Sequence, residues 1–274
     1  MRLISWNIQY GTSADGAYVL DRQIGYIAAG GYDVVCLQEV ADGFPDLDVG
    51  RGTCQSSIIE QRLPDYHASF GAAVEGRLGA RSCRFGNMIL SRQPPLRIDR
   101  YRLPAPAAPG VEHMPRQAIE IEIACGTRRL RILTTHLEFG SAAQNTAQAH
   151  GLWAWQEQIA AEAAMPPPLG AGPYAFGPKA ADALLCGDLN SLPGTTAHAV
   201  LTAQGRFRDS WRLVRGDQPH LPTCGVHDRK NWPTPDTRDY FLVTPSLAGS
   251  VRETDCDTTT MLSDHQPITI TLDI

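Results

Sequence analysis

The sequence predicts an α+β or α/β layered protein in which strands outnumber helices. Three observations carry this prediction: short apolar runs alternate with turn residues, few segments have helical periodicity, and the chain has no internal repeat. Its 274 residues include 25 Gly and 20 Pro, which is typical of a chain with many turns and loops. No long polar linker divides the chain. We therefore expect a single domain over residues 1–274.

The N-terminal part predicts a strand, a helix and a second strand. Residues 3–8 (LISWNI) form a short apolar run, and residues 19–31 have helical spacing that ends at glycine. Residues 33–40 (DVVCLQEV) are almost continuously apolar and rich in β-branched side chains, which indicates a buried strand.

The rest of the chain predicts further strands around one long helix. Residues 141–164 have the composition of a helix, with Ser141 as its N-cap. Three consecutive prolines cannot continue that helix, so residues 165–178 are predicted to form a loop. The further strands are predicted over residues 87–92, 118–124, 129–137, 183–190, 239–244 and 267–274.

Composition excludes several classes of protein. The 24 Lys and Arg against 29 Asp and Glu give a net charge of −5, which argues against tight non-specific binding to nucleic acid. No apolar run reaches the ~18 residues of a membrane span. The first residues lack the apolar core of a signal peptide, so a cytoplasmic protein is expected. The seven cysteines include no CxxC pair, which argues against a zinc or thioredoxin motif and against a disulfide framework.

Polar residues suited to metal and phosphate chemistry lie where the predicted strands end or begin. Carboxylates beside buried strands are costly unless they are paired, hydrogen-bonded or bound to a metal. If these strand ends meet at one edge of a sheet, they create a polar cleft. The residues are Asn7, Glu39, His136, Asp188, Asn190, Asp239, Asp264 and His265.

The residue types in this set indicate the chemistry. Asp, Glu and Asn with little Cys suit a hard cation, Mg²⁺ or Mn²⁺, better than zinc. Two histidines, each with a candidate carboxylate partner, can transfer protons and stabilise charge on a phosphoryl group. A serine nucleophile is disfavoured because no GxSxG elbow occurs, and neither a P-loop nor a dinucleotide loop is present.

Seven motifs together resemble those of the endonuclease/exonuclease/phosphatase superfamily, which includes deoxyribonuclease I, repair nucleases, sphingomyelinases and inositol-polyphosphate phosphatases. They occur in the family's order and cover nearly the whole chain. The motif GDLN followed downstream by SDHxP is specific, and the full set is more so. The matches are SWNIQYG at 5–11, LQEV at 37–40, GNMILSR at 86–92, TTHL at 134–137, GDLNSLPG at 187–194, RDYFLV at 238–243 and SDHQPI at 263–268.

The resemblance implies a four-layer α/β sandwich of the deoxyribonuclease I type, with two packed, mostly antiparallel sheets flanked by helices. It implies Glu39 as the main Mg²⁺ (or Mn²⁺) ligand, Asn7 beside the metal, and Asp264 in or next to the metal's shell. Asn87 matches a family asparagine that supports the active-site face.

The resemblance also implies catalytic roles. Asp188 would orient or deprotonate the attacking water, and Asn190 would position the phosphate. His265 would contact a phosphate oxygen in the transition state, with Asp239 hydrogen-bonded to it. His136 would act as an acid or as a phosphate clamp.

The expected function is hydrolysis of phosphodiester or phosphomonoester bonds by in-line attack of water, with nucleic acid as one candidate substrate. Alternatives are a small-molecule or sphingomyelinase-like lipid-headgroup phosphodiesterase and a catalytically inactive binding protein on the same scaffold. A calcineurin-like dinuclear phosphatase is disfavoured because its GNHE-type motif is missing. Loops such as residues 216–238 usually determine substrate choice in this family, and this one predicts no particular substrate. A monomer is expected.

Overall fold

Two six-stranded sheets pack face to face, and helices cover both outer surfaces. The architecture comes from a computed structural model that describes residues 1–49 and 51–274. It confirms the four-layer sandwich that the motifs implied.

The described residues form twelve strands and five α-helices, with four short 3-10 segments between them. The strands are β1 (Arg2–Asn7), β2 (Val34–Asp42), β3 (His67–Leu78), β4 (Arg81–Ser91), β5 (Arg97–Arg102), β6 (Gln117–Cys125), β7 (Arg128–His136), β8 (Ala183–Asp188), β9 (Arg208–Asp209), β10 (Asp239–Val243), β11 (Val251–Cys256) and β12 (Ile268–Leu272). The helices are α1 (Leu20–Gly30), α2 (Gln55–Arg62), α3 (Ala142–Ala164), α4 (Thr196–Thr202) and α5 (Ser210–Arg215).

The two sheets have the same pattern of strand directions. The first has the order β11-β12-β1-β2-β4-β3 and the second β5-β6-β7-β8-β10-β9. Each sheet contains one parallel pair, β1 with β2 and β7 with β8, while its other pairs are antiparallel. The long helix α3 connects the parallel strands β7 and β8, as a crossover between parallel strands requires.

Apolar side chains occupy three layers. The central layer lies between the sheets and includes Cys36, Ile121 and Cys186. Helices α1 and α2 pack on the outer face of the first sheet, and α3 and α4 pack on the outer face of the second. Strands β2 and β8 are therefore covered on both faces. This explains their nearly continuous apolar sequences.

Several elements have weak sequence signals, and the sequence did not predict them. Strand β3 alternates between buried and less buried positions, but small residues fill most of the buried ones. Strand β5 lies at a sheet edge and has no fully buried residue, so its hydrophobic alternation is faint. Strands β9 and β11 and helices α2, α4 and α5 were also missed, and each has eight residues or fewer. Tertiary contacts determine such short elements more than local propensity does.

Two further features concern the cysteines and the helices. All seven cysteines are free, and six of them are buried. In the part of the chain that the structure describes, no helix is both long enough and apolar enough to cross a membrane.

Candidate active site

The polar residues predicted from the strand ends come together at one edge of the sandwich. Asn7 and Glu39 come from the first sheet, and His136, Asp188 and Asp239 come from the second. Asp264 and His265 lie in the segment before β12, and Asn190 directly follows β8. The site thus lies where the loops of the two sheets meet.

Glu39 lies at an irregularity in β2. The register between β2 and β4 shifts between Leu37 and Val40, so the strand accommodates an extra residue there. Glu39 has a φ of 59°, a left-handed conformation that is uncommon for residues other than glycine. A bulge of this kind redirects a side chain that would otherwise point along the normal strand alternation. Such local strain is typical of functional sites.

Asn7 connects two carboxylates of the site. Its Nδ2 donates to Glu39 Oε1 at 3.0 Å and to Asp188 Oδ2 at 3.2 Å. Its Oδ1 accepts a hydrogen bond from the backbone N–H of Gln9 at 3.0 Å. In this arrangement the amide nitrogen of Asn7 faces the carboxylates. A role for Asn7 as a direct metal ligand stays a prediction.

Asp188 is the point on which several side chains converge. Its Oδ1 accepts from the backbone N–H of Asn190 at 2.9 Å. Its Oδ2 lies 3.5 Å from His136 Nε2 and 3.6 Å from His265 Nε2, besides the contact with Asn7. Asn190, with a φ of 47°, donates from Nδ2 to the carbonyl of Leu137 at 3.0 Å.

The glycine before Asp188 permits this arrangement. Gly187 has a φ of 125°, and a Cβ there would lie 2.0 Å from the carbonyl oxygen of Thr135 on the parallel neighbour β7. No side chain can be accommodated at that distance. The close approach of the two backbones therefore explains the glycine of the GD motif. Only glycine lets β8 bring Asp188 beside His136.

His265 lies between two carboxylates. Its Nδ1 is 2.9 Å from Asp239 Oδ2, and its Nε2 faces Asp188. Burial lowers the pKa of His265, but Asp239 and Asp188 outweigh that effect and hold the pKa well above the ordinary histidine value. His265 is therefore an imidazolium in this environment. It can donate a proton or a strong hydrogen bond.

His136 has the opposite electrostatic state. Burial and the positive charge of Arg116 lower its pKa to about 3, so the ring is neutral at neutral pH. Its Nδ1 lies 3.7 Å from Glu39 Oε1 and makes no hydrogen bond within the protein. A neutral ring can donate one hydrogen bond and accept another. It is poorly suited to act as a general acid.

Crowded carboxylates give the site an excess of negative charge. Burial, followed by repulsion from Asp264, raises the pKa of Glu39 to about 7, and burial also raises the pKa of Asp264. Because both carboxyls resist ionisation here, a cation placed between them would stabilise their charged forms. Oxygen donors from carboxylates are what Mg²⁺ and Mn²⁺ prefer. The donor set therefore fits a hard divalent cation.

A second grouping in this site has the spacing of metal ligands. One ligand atom each of Asp188, Asp239 and His265 lies within 4.8 Å of the others. The ring nitrogens of His265 already face the two carboxylates, however, and an imidazolium has no lone pair for a metal. The pair Glu39 and Asp264 is therefore the better candidate for metal ligation.

The sequence did not predict several residues that contact the site. Thr223 donates from Oγ1 to Asp239 Oδ2 at 2.7 Å, and Cys224 Sγ lies 3.4 Å from His265 Nε2. Both lie in the irregular segment 216–238, where the sequence predicted no role. The one sequence signal for these two residues is their position in the segment that precedes the RDYFLV motif.

Asn87 also has a structural contact at this face. On β4 it donates from Nδ2 to the carbonyl of Gln117 on β6, at 3.2 Å, and so links the two sheets. This agrees with a supporting position. A direct role in catalysis is not indicated.

Comparison with known proteins identifies what the chain resembles. The model of the "Endonuclease/Exonuclease/phosphatase family" matches residues 4–265, nearly the whole chain. No curated protein matches the sequence.

Solved structures share the fold at low sequence identity. The endonuclease/exonuclease/phosphatase from Beutenbergia cavernae is 22% identical, with 99% of this chain and 71% of that chain covered and a TM-score of 0.71. A mannosyl-6-phosphatase from Bacteroides thetaiotaomicron is 15% identical over all of both chains, with a TM-score of 0.71. The human Nocturnin catalytic domain, solved with a bound sulfate anion, is 20% identical, with 100% of this chain and 93% of that chain covered and a TM-score of 0.67.

Proposed function

The chain belongs to the endonuclease/exonuclease/phosphatase family, and from this membership and the site we propose that it is a metal-dependent hydrolase of phosphate esters. The observation that carries the proposal is the convergence on Asp188 Oδ2. Asn7, His136 and His265 from three separate chain segments all lie within 3.6 Å of that oxygen.

The proposed chemistry assigns each group a task. Asp188 holds the attacking water and accepts its proton, while Asn190 is placed to bond a phosphoryl oxygen. His265, as imidazolium, donates to a second phosphoryl oxygen and stabilises the charge that develops there. Asp239 acts through His265, since its Oδ2 fixes the ring at 2.9 Å.

His136 is proposed to hold an oxygen of the substrate rather than to protonate the leaving group, which takes its proton from solvent water. Its depressed pKa leaves it neutral, and Nδ1 is free to bond a substrate atom. Glu39 and Asp264 would hold Mg²⁺ or Mn²⁺, with Asn7 orienting Glu39. A bound divalent ion supplies positive charge next to the phosphoryl oxygens.

The substrate class within this chemistry extends from nucleic acids to small phosphate esters. One related structure is a mannosyl-6-phosphatase. Phosphomonoesters are therefore candidate substrates beside phosphodiesters. A catalytically inactive binding protein is the weaker candidate, because all of the predicted polar residues remain and are gathered at one edge. We also propose that residues 1–274 act as a single domain, since both sheets contribute to the site, and that the protein is a monomer. A cytoplasmic location stays a prediction.

The test is a panel of phosphate esters with Glu39→Gln and Glu60→Gln as a matched pair. Wild-type protein should hydrolyse bis-p-nitrophenyl phosphate, DNA, RNA or a phosphomonoester only with Mg²⁺ or Mn²⁺, and EDTA should stop the reaction. Glu39→Gln should lose at least ~10²-fold in kcat, whereas Glu60→Gln, on the exposed face of α2, should keep wild-type activity. Full activity of Glu39→Gln in EDTA would contradict the proposal.

A further inference from the structure

An apolar cleft lies directly beside the candidate active site. Its volume is about 370 Å³, which suits a ring system rather than a large ligand. The side chains that line it are mostly apolar, and half of the apolar ones are aromatic: Tyr10, Phe44, Leu47, Val74, Phe85 and Met114, with Asp46 as the one charged residue.

Most of the cleft belongs to the same chain segments that build the site. Tyr10 follows Asn7 by three residues, Phe44 follows Glu39 by five, and Phe85 precedes Asn87 on β4. These segments place polar side chains in the site and aromatic side chains in the cleft. Phe85 pairs across the sheet with Ala41, two residues after Glu39, so the cleft lies next to the strand that carries Glu39.

Tyr10 marks the boundary between the cleft and the site. It is partly buried, and its φ of 44° is a left-handed conformation that directs this residue away from the regular strand path. Its neighbour Gln9 accepts through Oε1 a hydrogen bond from the backbone N–H of Asp264 at 3.3 Å, so the segment that carries Tyr10 lies against the candidate metal site. The Tyr10 end of the cleft is thus the end nearer the candidate metal ligands.

The far side of the cleft comes from the second sheet. Met114 lies in the connection between β5 and β6, two residues before Arg116, whose charge acts on His136.

The rings of Phe44 and Phe85 meet edge to face, with their centroids 6.5 Å apart at 90°. Aromatic faces and a thioether sulfur are favourable partners for a flat ring.

We infer that this cleft is a substrate subsite for a nucleobase carried by the phosphate ester. The inference rests on the proposed phosphoesterase function and extends it to a nucleotide-type substrate. Exposed Asp46 at the cleft can accept a hydrogen bond from an amino group of the base. An alkyl chain has no group to offer that carboxylate, and a bare sugar phosphate leaves the aromatic lining unused.

The test compares ligands that differ in the base alone. Adenosine 5′-monophosphate and ribose 5-phosphate carry the same phosphate, and octyl phosphate represents an aliphatic occupant. Affinities are measured by titration calorimetry with Mg²⁺ present; for a ligand that is hydrolysed, the ratio of kcat/KM replaces the ratio of affinities. The nucleotide should bind at least about tenfold more tightly than ribose 5-phosphate, as one base stacked on aromatic side chains predicts.

Variants of Phe44 test the subsite itself. Phe44→Ala should reduce the preference for the nucleotide by about tenfold, and Phe44→Leu, which keeps an apolar side chain, should reduce it less. Phe176→Ala is the matched control, because Phe176 is 65% exposed and lies outside the cleft. Thermal unfolding of each variant identifies any that fail to fold, and Phe44→Leu then replaces Phe44→Ala.

Distinct outcomes separate this inference from the proposed function. Equal affinity of wild-type protein for the nucleotide and ribose 5-phosphate would overturn the subsite. So would tighter binding of octyl phosphate, or an unchanged preference in Phe44→Ala and Phe44→Leu. If wild-type protein hydrolyses none of the esters but still binds the nucleotide more tightly than ribose 5-phosphate, the phosphoesterase proposal is overturned and the subsite stays in place.

Discussion

Two Asp–His clusters at the second sheet have similar composition and different character. The first is the group of Asp188, Asp239 and His265 in the candidate active site. The second is formed by His198 on α4, Asp209 at the end of β9, and His220 in the segment before β10. Each offers three ligand-type atoms within 4.8 Å of one another.

Hydrogen bonds centred on Asp209 hold the second cluster together. Asp209 Oδ2 faces His198 Nε2 at 3.0 Å and His220 Nε2 at 2.7 Å, and Asp209 Oδ1 accepts from the backbone N–H of Trp211. The backbone N–H of Gly194 donates to His198 Nδ1 at 3.0 Å. That nitrogen therefore carries the lone pair, so the proton is on Nε2 and points at Asp209.

This tautomer decides between a metal site and a structural cluster. A metal ligand needs a lone pair on the nitrogen that faces the ion. If His198 used Nε2 for a metal, its Nδ1 would carry the proton and would face another N–H donor. The second cluster is therefore a hydrogen-bonded support for α4, α5 and the segment before β10.

The first cluster differs because further polar groups with unmet hydrogen bonds or crowded charges surround it. Asp239 Oδ1 and His136 Nδ1 make no hydrogen bond within the protein, and Glu39 is strained and crowded by other acids. Residue types alone do not distinguish the two clusters. Each cluster has one buried atom without a hydrogen-bond partner, His220 Nδ1 in the second and Asp239 Oδ1 in the first. The crowding of acids around Glu39 does distinguish them, and it marks the first as the site of chemistry.

The largest expected effect is on turnover. Asp188→Asn and His265→Ala should each lower kcat by at least ~10²-fold on the ester that the panel identifies, because each acts on the transition state. The double variant should lose less than the product of the two effects. Steady-state kinetics of the three variants check this, and near-wild-type turnover in either single variant would exclude that residue from the mechanism.

The same substitution in the second cluster should affect folding instead. Asp209→Asn replaces an acceptor of two histidine N–H groups and of the α5 cap, so the free energy of unfolding should fall by about 2 kcal/mol while kcat stays within about twofold of wild type. Urea unfolding and kinetics on one preparation check both numbers. Asp239→Asn is the counterpart, and we expect it to lower kcat by at least about tenfold.

The contribution of Asp209 to the free energy of unfolding should decrease at acid pH. Despite its burial, hydrogen bonds from His198 and His220 hold the pKa of Asp209 below its ordinary value of 3.8. A depressed carboxyl pKa stabilises the folded state above the unfolded pKa, and this stabilisation is lost as the pH falls below it. The stability difference between wild type and Asp209→Asn should therefore be constant above about pH 5 and shrink below about pH 4.

Glu39 should behave in the opposite sense in metal-free protein. Its raised pKa of about 7, against an ordinary 4.5, means that the ionised carboxylate opposes folding, with the full cost above about pH 7 and none below about pH 4. Glu39→Gln in EDTA should therefore be more stable than wild type by as much as about 3 kcal/mol at pH 8 and equal to it at acid pH. Thermal or urea unfolding at both pH values measures this. Lower stability of Glu39→Gln at pH 8 would contradict it.

The smallest effect is expected from zinc at the second cluster. Because the His198 tautomer has no lone pair facing Asp209, added Zn²⁺ should raise the melting temperature of wild type and of His198→Gln by the same amount, within about 1 °C. A clearly smaller zinc-induced shift in His198→Gln would show that this cluster binds metal. The structural assignment would then be wrong.

The sequence by itself determined the class of fold and the set of polar residues at the strand ends. Continuous apolar runs identify buried strands such as β2 and β8 because their burial depends on their own side chains. Motifs such as GDLN and SDH are local, and their backbone requirements, for example Gly187 beside Thr135, are visible as residue identities.

Only the tertiary structure decided how those residues act. The bulge at Glu39, the opposite charge states of His136 and His265, and the contact of Cys224 with His265 depend on which groups distant segments bring near. The tautomer of His198 in the second Asp–His cluster likewise depends on one backbone N–H, that of Gly194. Burial, charge and hydrogen-bond partners are properties of a position in space, and the chain acquires them only when it folds.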